Sequence, residues 1–367
     1  MKTIRNILAE APLAWLLIAI PVTVAVHHVK PEAGLLGFVL ACLAIVPLAG
    51  LLGLATEKLA SKTGDAIGGF LNATLGNAAE LIIAVVALRA GMLDVVQASI
   101  TGSIIGNLLL VMGAAFLAGG LRHPVQTFAV AKLFSRTPPG MMALAAMSIL
   151  IPSVVAMIGN GRFVAQSMTF SVVVSVILLI VYLFSLVFSL RTHVHLFQGE
   201  GGAGHESHGE EWSMRKAIAV LVVVTLLLVW MSEILVATVE HASKALGLTN
   251  LFVGVVVVAV VGNAAEHSTA ILMALRNRME IAINIAVGST SQIALFVAPL
   301  LVLLSFFIAP APLSFAFPPI EVFLVLMATF VASILLVDGK STWFSGVQLL
   351  AVYLIMAITV FMAPAKG

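Results

Sequence analysis

The pentapeptide Gly76-Asn77-Ala78-Ala79-Glu80 recurs unchanged as Gly262-Asn263-Ala264-Ala265-Glu266, 186 residues further along the chain. At the same offset Gly102-Ser103 recurs as Gly288-Ser289, so the register holds over two consecutive apolar segments. A looser echo sets Glu57 and Ser61-Lys62 against Glu240 and Ser243-Lys244, with a gap of about three residues. Two unrelated segments seldom keep such a register, and the chain reads as two related halves.

Working outward, each glutamate stands inside a long apolar window. Of 367 residues, 61% are hydrophobic and only 9% charged, with a mean hydropathy of +1.17. A soluble domain carries roughly 25% charged residues, so a globular reading is excluded. A bilayer-spanning helix needs about 20 apolar residues. Eleven windows meet that need, at about 12–28, 34–56, 65–89, 94–119, 140–159, 164–190, 214–239, 250–275, 280–308, 318–337 and 342–363. The expected fold is therefore an all-α polytopic membrane protein. Lys2 and Arg5 precede the first window, but with ten more behind it a retained first helix is expected rather than a cleaved signal.

Orientation follows from the basic residues. A cytoplasmic N-terminus leaves 13 of the 18 Lys and Arg inside, as the positive-inside rule asks. The linker after the sixth span is then cytoplasmic and the C-terminus outside. The organisation expected is an N-terminal helix over 1–30, a five-helix repeat over 31–191, a polar linker over 192–213 and a second five-helix repeat over 214–367. Five spans per half make the two copies enter the membrane from opposite sides, the inverted-repeat plan of secondary transporters.

The motif carries the chemistry. A carboxylate at the bilayer centre costs about 2.5–3.5 kcal/mol on insertion scales and persists mainly where it pairs, binds an ion or carries protons. Read as continuous helix, Asn77 and Glu80, like Asn263 and Glu266, fall at i and i+3 on one face. Thr74 and Thr269 extend those faces. Gly76, Gly262 and the alanines permit close helix packing. The following span of each half begins a second polar face, Ser103 and Asn107 in one and Ser289 and Gln292 in the other. Two carboxylates and several neutral oxygens suit a hard cation such as Ca2+, which takes about 6–8 oxygen ligands. Without the ion, the two like charges in a low-dielectric site favour protons. The same pair then holds a cation or protons in turn, the competition an antiporter requires.

Three stretches carry a family resemblance: Gly76 to Glu80, Gly262 to His267, and Gly288-Ser-Thr-Ser-Gln-Ile-Ala-Leu-Phe-Val297. In order and spacing the chain resembles the cation/proton exchanger (CAX) family of the Ca2+/cation antiporter superfamily over essentially its whole length. The resemblance implies Ca2+:H+ antiport by alternating access at a paired-glutamate site near the midplane. Glu80 and Glu266 would be the central Ca2+ and proton groups, supported by Asn77, Asn263, Ser103, Ser289 and Gln292. His267 enters as a proton-transfer candidate, and Glu57 and Glu240, at symmetry-related helix ends, as gating candidates. The sodium-coupled branch has Ser-Xaa-Pro-Glu or a close variant where this chain has Asn-Ala-Ala-Glu, and an acidic residue near Gln292. Neither is present, which favours protons over Na+ or K+; a broader divalent range including Mn2+ stays open.

Blander readings stand beside these. Glu80 and Glu266 could be a structural polar pair, His267 a packing residue, and Glu57 and Glu240 solvated helix ends. Glu233 and Glu321 also lie within spans and align with nothing in the other half. The linker holds His193, His195, His205 and His208 with Glu200, Glu206, Glu210 and Glu211. It suits a mobile connector or a cation-gathering tract. Cys42 is the lone cysteine, so neither a disulfide framework nor a thiolate metal site follows. No Walker-type loop supports ATP drive. A membrane metalloenzyme is disfavoured because only His267 among the nine histidines lies deep. A passive channel is the remaining rival. The chain is expected to be a secondary transporter rather than an enzyme, without a cofactor, with Ca2+ as cargo. Ca2+, protons and lipid are its expected partners; nucleic acid is not, and a homo-oligomer is compatible. A prokaryotic inner (plasma) membrane is the expected location.

Overall fold

The computed structural model describes residues 13–30, 33–130, 133, 139–158, 161–194 and 212–363. Among these, eight helices are long and apolar enough to cross a membrane, and two further pairs qualify when each is taken as one bent span. The first apolar window is a 3-10 turn, Ala14–Ile18, running into α1, Ala19–Val29. Together they are shorter than the other spans. The fold is α-helical throughout, as the composition requires, with one small addition: β1, Gln126–Thr127, pairs antiparallel with β2, Lys340–Ser341.

The chain divides into two compact units. One comprises residues 1–87, 186–248 and 261–265; the other holds 88–185, 249–260 and 266–367. In the first unit, α2 (Gly34–Ala60) lies antiparallel along the later helix Met214–Leu246. The buried stripe of α2, Ala41, Ala44, Ile45, Leu48, Leu52, Ala55 and Leu59, repeats at three- and four-residue steps, the spacing of one helix face. Its small residues admit a close neighbour, since without hydrophobic drive between spans the association rests on packing. Gly34 meets His241, and a Cβ at Gly37 would lie 3.2 Å from the Thr238 methyl. At the other end Ala55 and Leu59 pack with Trp212 and Ala217.

After α2, the chain forms α3 (Asp65–Leu75) and α4 (Ala78–Arg89). The second unit begins within α4, at Leu88, and a turn through Gly91, φ +75°, follows. There α5 (Leu93–Ile105), a π segment (Gly106–Val111) and α6 (Met112–Arg122) make one span. Next come α7 (Pro139–Ile158) and α8 (Gly161–Val187). In the first unit α9 (Met214–Leu246) opens the second half. The span after it comprises α10 (Asn250–Phe252), a π segment (Val253–Val258), α11 (Ala259–Gly262) and α12 (Ala264–Leu275). Then follow α13 (Met279–Gln292), a π segment (Ile293–Val297) and α14 (Ala298–Ile308). The last spans are α15 (Pro319–Val337) and α16 (Trp343–Met362).

Residues 313–317, between α14 and α15, form a non-helical segment of the second unit. Leu313, Phe315 and Phe317 are buried, so their backbone needs partners away from water. Helix side chains supply them. The amides of Leu313, Phe315 and Phe317 donate to the hydroxyls of Ser305, Ser171 and Ser153 at 2.8, 3.0 and 2.9 Å. Gln97 Nε2 donates to the carbonyls of Ser314 and Ala316 at 2.9 and 3.1 Å. This segment is thereby tied to α5, α7, α8 and α14.

Candidate ion site

Each copy of the repeated motif falls on a helix break. The helix Ile67–Leu75 meets Ala78–Arg89 at 46°, and Asn250–Gly262 meets Ala264–Leu275 at 61°. Reading each window as one continuous helix is therefore corrected. Asn77 and Asn263 occupy the breaks, each 1% exposed, and Glu80 and Glu266 are the third residues of the half-helices that follow. The i, i+3 face does not extend back to Thr74, which lies beyond the first break, and Thr269 points to an exposed position. Gly and Asn supply the local reason: glycine gains least from helix, and asparagine satisfies a helix start with its own side chain. A half-helix start offers backbone N–H groups and a half-helix end offers carbonyls. Discontinuous spans use both to bind ions inside the membrane.

Within the first unit Gly262 of the second copy lies against Glu80 of the first. A Cβ built at Gly262 would sit 3.3 Å from Glu80 Cγ and 3.7 Å from the Ile83 Cδ1 methyl. Glycine at that position leaves room for the glutamate stem, and Asn77, Glu80, Gly262 and Asn263 all belong to this unit.

The second unit holds Ser103, Asn107, Glu266, His267, Ser289 and Gln292. Asn107 Nδ2 donates to Ser289 Oγ at 2.9 Å, and Ser289 hydrogen-bonds the Glu266 carboxyl. A hydroxyl has one proton, so accepting from Asn107 leaves Ser289 to give its own to Glu266. The other carboxyl oxygen, Glu266 Oε2, is buried with no hydrogen-bond partner among the described residues. A buried acceptor left open costs about 1–3 kcal/mol or more unless something fills it, and a cation or a proton would.

Ser103 is buried on α5 and Gln292, half-buried, ends α13. In each half, a π segment begins within three residues of these side chains, at Gly106 and at Ile293. Such bulges are frequent at functional sites, and nothing in the apolar sequence announces them. The half-buried ring of His267 follows Glu266 in the chain. Glu57 and Glu240 are exposed near their helix ends. Glu240 Oε2 lies 3.9 Å from Lys244 Nζ, both side chains mostly in the open, a pair worth little. In the linker, the His193 ring stacks on Phe188 at 4.1 Å. His195, Glu200, His205, Glu206, His208, Glu210 and Glu211 lie outside the described residues.

Bent spans carrying paired polar motifs, in a bundle of many crossings, define a membrane transporter of the broken-helix class. The family model described as sodium/calcium exchanger protein matches residues 33–191 and again 216–362. The chain belongs to that family. A Ca(2+)/H(+) antiporter of Aphanothece halophytica is 42% identical over 361 residues, covering 95% of this chain and 96% of the relative. The Ca(2+)/H(+) antiporter ChaA of Bacillus subtilis is 43% identical over 327 residues, 89% of this chain and 92% of its own. The solved structure of native YfkE superimposes with a TM-score of 0.79 at 37% identity, covering 95% of this chain and 100% of that one. The resemblance read from the motifs and these comparisons agree.

Proposed function

We propose that this chain is a Ca2+:H+ antiporter in which Glu80 and Glu266 hold Ca2+ in one phase of the cycle and protons in the other. The observation that carries the reading is the recurrence of one Gly-Asn-Ala-Ala-Glu motif at both helix breaks. Relatives named Ca(2+)/H(+) antiporter at 42% and 43% identity over most of the chain support the ion and the coupling. The family model's two separate matches support a duplicated plan of two five-helix repeats joined by a linker.

In this mechanism the carboxylates provide charge, and the oxygens of Asn77, Asn263, Ser103, Ser289 and Gln292 complete or orient the ligand set that Ca2+ demands. Two glutamates neutralise one divalent ion. When it leaves, their mutual repulsion in a low-dielectric place draws protons in. Bound Ca2+ and bound protons exclude each other, which couples their fluxes. The breaks at Asn77 and Asn263 let a span bend without losing a full helix, and alternating access uses that freedom. His267 stands beside Glu266 as a candidate proton relay, and Glu57 and Glu240 at helix ends as candidate gate residues.

The test is Ca2+ uptake into vesicles under an imposed pH gradient, with wild type, Glu80→Gln and Glu266→Gln. Loss of uptake in both variants supports the reading, and undiminished uptake in either refutes it. Omitting Na+ and K+ from the same vesicles separates proton coupling from alkali-cation coupling, and Mn2+ competition reports the breadth of selectivity.

A further inference from the structure

A further carboxylate lies buried in the membrane region, outside the repeated motif. Glu321, in the first turn of α15, is 1% exposed, and a glutamate at membrane depth is costly to keep. Thr101 Oγ1 lies 2.7 Å from Glu321 Oε2, against 3.1 Å to the Ala98 carbonyl and 3.3 Å to that of Gln97. The hydroxyl has a single proton, and the shortest of the three contacts takes it.

Thr101 belongs to the helix that carries the ion-site residues. Around α5 three faces do different work. Ala98 and Gly102 receive the backbone of the span segment at Gly254 and Val255. Gln97 and Thr101 hold the segment 313–317 and α15. Asn107, at the start of the π segment, reaches Ser289 and through it Glu266. A π segment adds a residue to the turn and is a place where helix register can slip. Fixing the depth of Asn107 therefore needs an anchor just before the bulge, and α15 packs on both α5 and the π segment.

We propose that Glu321 is a positioning residue for Ca2+ binding: through Thr101 it locks the register of α5, so that Asn107 and Ser289 hold Glu266 in its ligating orientation. This rests on the Ca2+:H+ reading above. The carboxylate acts as a hydrogen-bond acceptor, a role an amide oxygen also fills, and the hydroxyl acts as a donor, a role valine cannot fill.

The experiment uses the full-length protein reconstituted in vesicles and measures proton-driven Ca2+ uptake against Ca2+ concentration for wild type, Glu321→Gln, Glu321→Ala, Thr101→Val and Thr101→Ser. The expected result is a KM for Ca2+ raised about tenfold by Glu321→Ala and by Thr101→Val, the effect of losing one buried hydrogen bond, with maximal rate changed less. Glu321→Gln and Thr101→Ser are expected to stay near wild type. If Glu321→Ala fails to assemble, the Thr101→Val and Thr101→Ser pair decides alone. A Glu321→Gln as defective as Glu321→Ala, a Thr101→Val equal to wild type, or a loss confined to maximal rate would overturn the proposal. Wild-type uptake in the same preparation tests the underlying reading separately: absent uptake there condemns the antiport reading, whereas normal uptake with a silent Thr101→Val condemns only the role of Glu321.

Discussion

Asn107 donates a hydrogen bond to the Ser289 hydroxyl at 2.9 Å across 182 residues of sequence. The two side chains come from different halves of the chain, and Ser289 passes its own proton toward the Glu266 carboxyl. This three-residue relay ends on a carboxylate whose second oxygen is buried with no hydrogen-bond partner among the described residues.

Breaking the relay should weaken Ca2+ binding more than it slows turnover. Ser289→Ala removes both the donor to Glu266 and the acceptor of Asn107, and is expected to raise the KM for Ca2+ about tenfold, from one lost charge-assisted hydrogen bond. Asn107→Ala leaves the Ser289–Glu266 bond in place and should cost less. Uptake curves against Ca2+ concentration check the order; an Asn107→Ala more defective than Ser289→Ala would contradict it.

Two of the repeated glycines that precede polar site residues, Gly262 and Gly288, make a sharper contrast. A Cβ at Gly262 meets Glu80 Cγ at 3.3 Å, whereas one at Gly288 meets nothing within 4 Å. Gly262→Ala must push the Glu80 stem by a few tenths of an ångström, and small displacements of a working group carry rate costs up to about a hundredfold per ångström. A roughly tenfold loss of uptake is expected. Gly288→Ala, an exchange that favours helix by up to about 1 kcal/mol, should transport normally and melt no lower than wild type. Uptake and thermal unfolding of both variants in detergent check the pair.

How much of this was legible in the sequence varies by residue. Glu80 and Glu266 announce themselves, because a carboxylate at membrane depth costs too much to be kept twice in the same pentapeptide without a use. The breaks at Asn77 and Asn263 were obscured by apolar windows that run unbroken on either side, although Gly followed by Asn is a recognised helix-end signal. In the first window, about 12–28, the helix among the described residues runs over Ala14–Val29, shorter than the about 20 residues that a full crossing takes. The π segments after Ile105 and Gln292 leave no compositional trace, since the same valines and leucines fill α-helix equally well. Glu321 was visible as a charge within a span but not its partner: Thr101 lies 220 residues away, and pairing across that distance is decided by packing.

Proton competition has a definite sign. In the proposed mechanism protons and Ca2+ compete for the same carboxylates, so lowering the pH on the side where Ca2+ binds should raise its apparent KM and leave the maximal rate little changed. Glu266→Gln removes one competing carboxylate, and the remaining Ca2+ affinity, where measurable, should depend less on pH. Equilibrium Ca2+ binding in detergent across a pH series checks this; affinity that rises as pH falls would contradict it.

Packing at the glycine faces sets stability rather than chemistry. A side chain at Gly102 runs into the backbone of Val255, and one at Gly120 into that of Trp343. Backbone yields less readily than a flexible side chain, so Gly102→Val should destabilise by about 1–3 kcal/mol, as overpacked cores do. A lowered midpoint of thermal unfolding in detergent is the expected readout, whereas Gly50→Ala, inside α2 with nothing within 4 Å, should melt no lower than wild type.

The central claim, that one pair of glutamates couples Ca2+ to protons, is tested most directly by recording both fluxes at once in proteoliposomes holding purified protein. With an imposed pH gradient and no Na+ or K+, wild type should accumulate Ca2+ against its gradient while protons move the opposite way, and Glu80→Gln or Glu266→Gln should abolish both fluxes together. Ca2+ accumulation without countermoving protons, or either variant retaining coupled exchange at the wild-type rate, would contradict it.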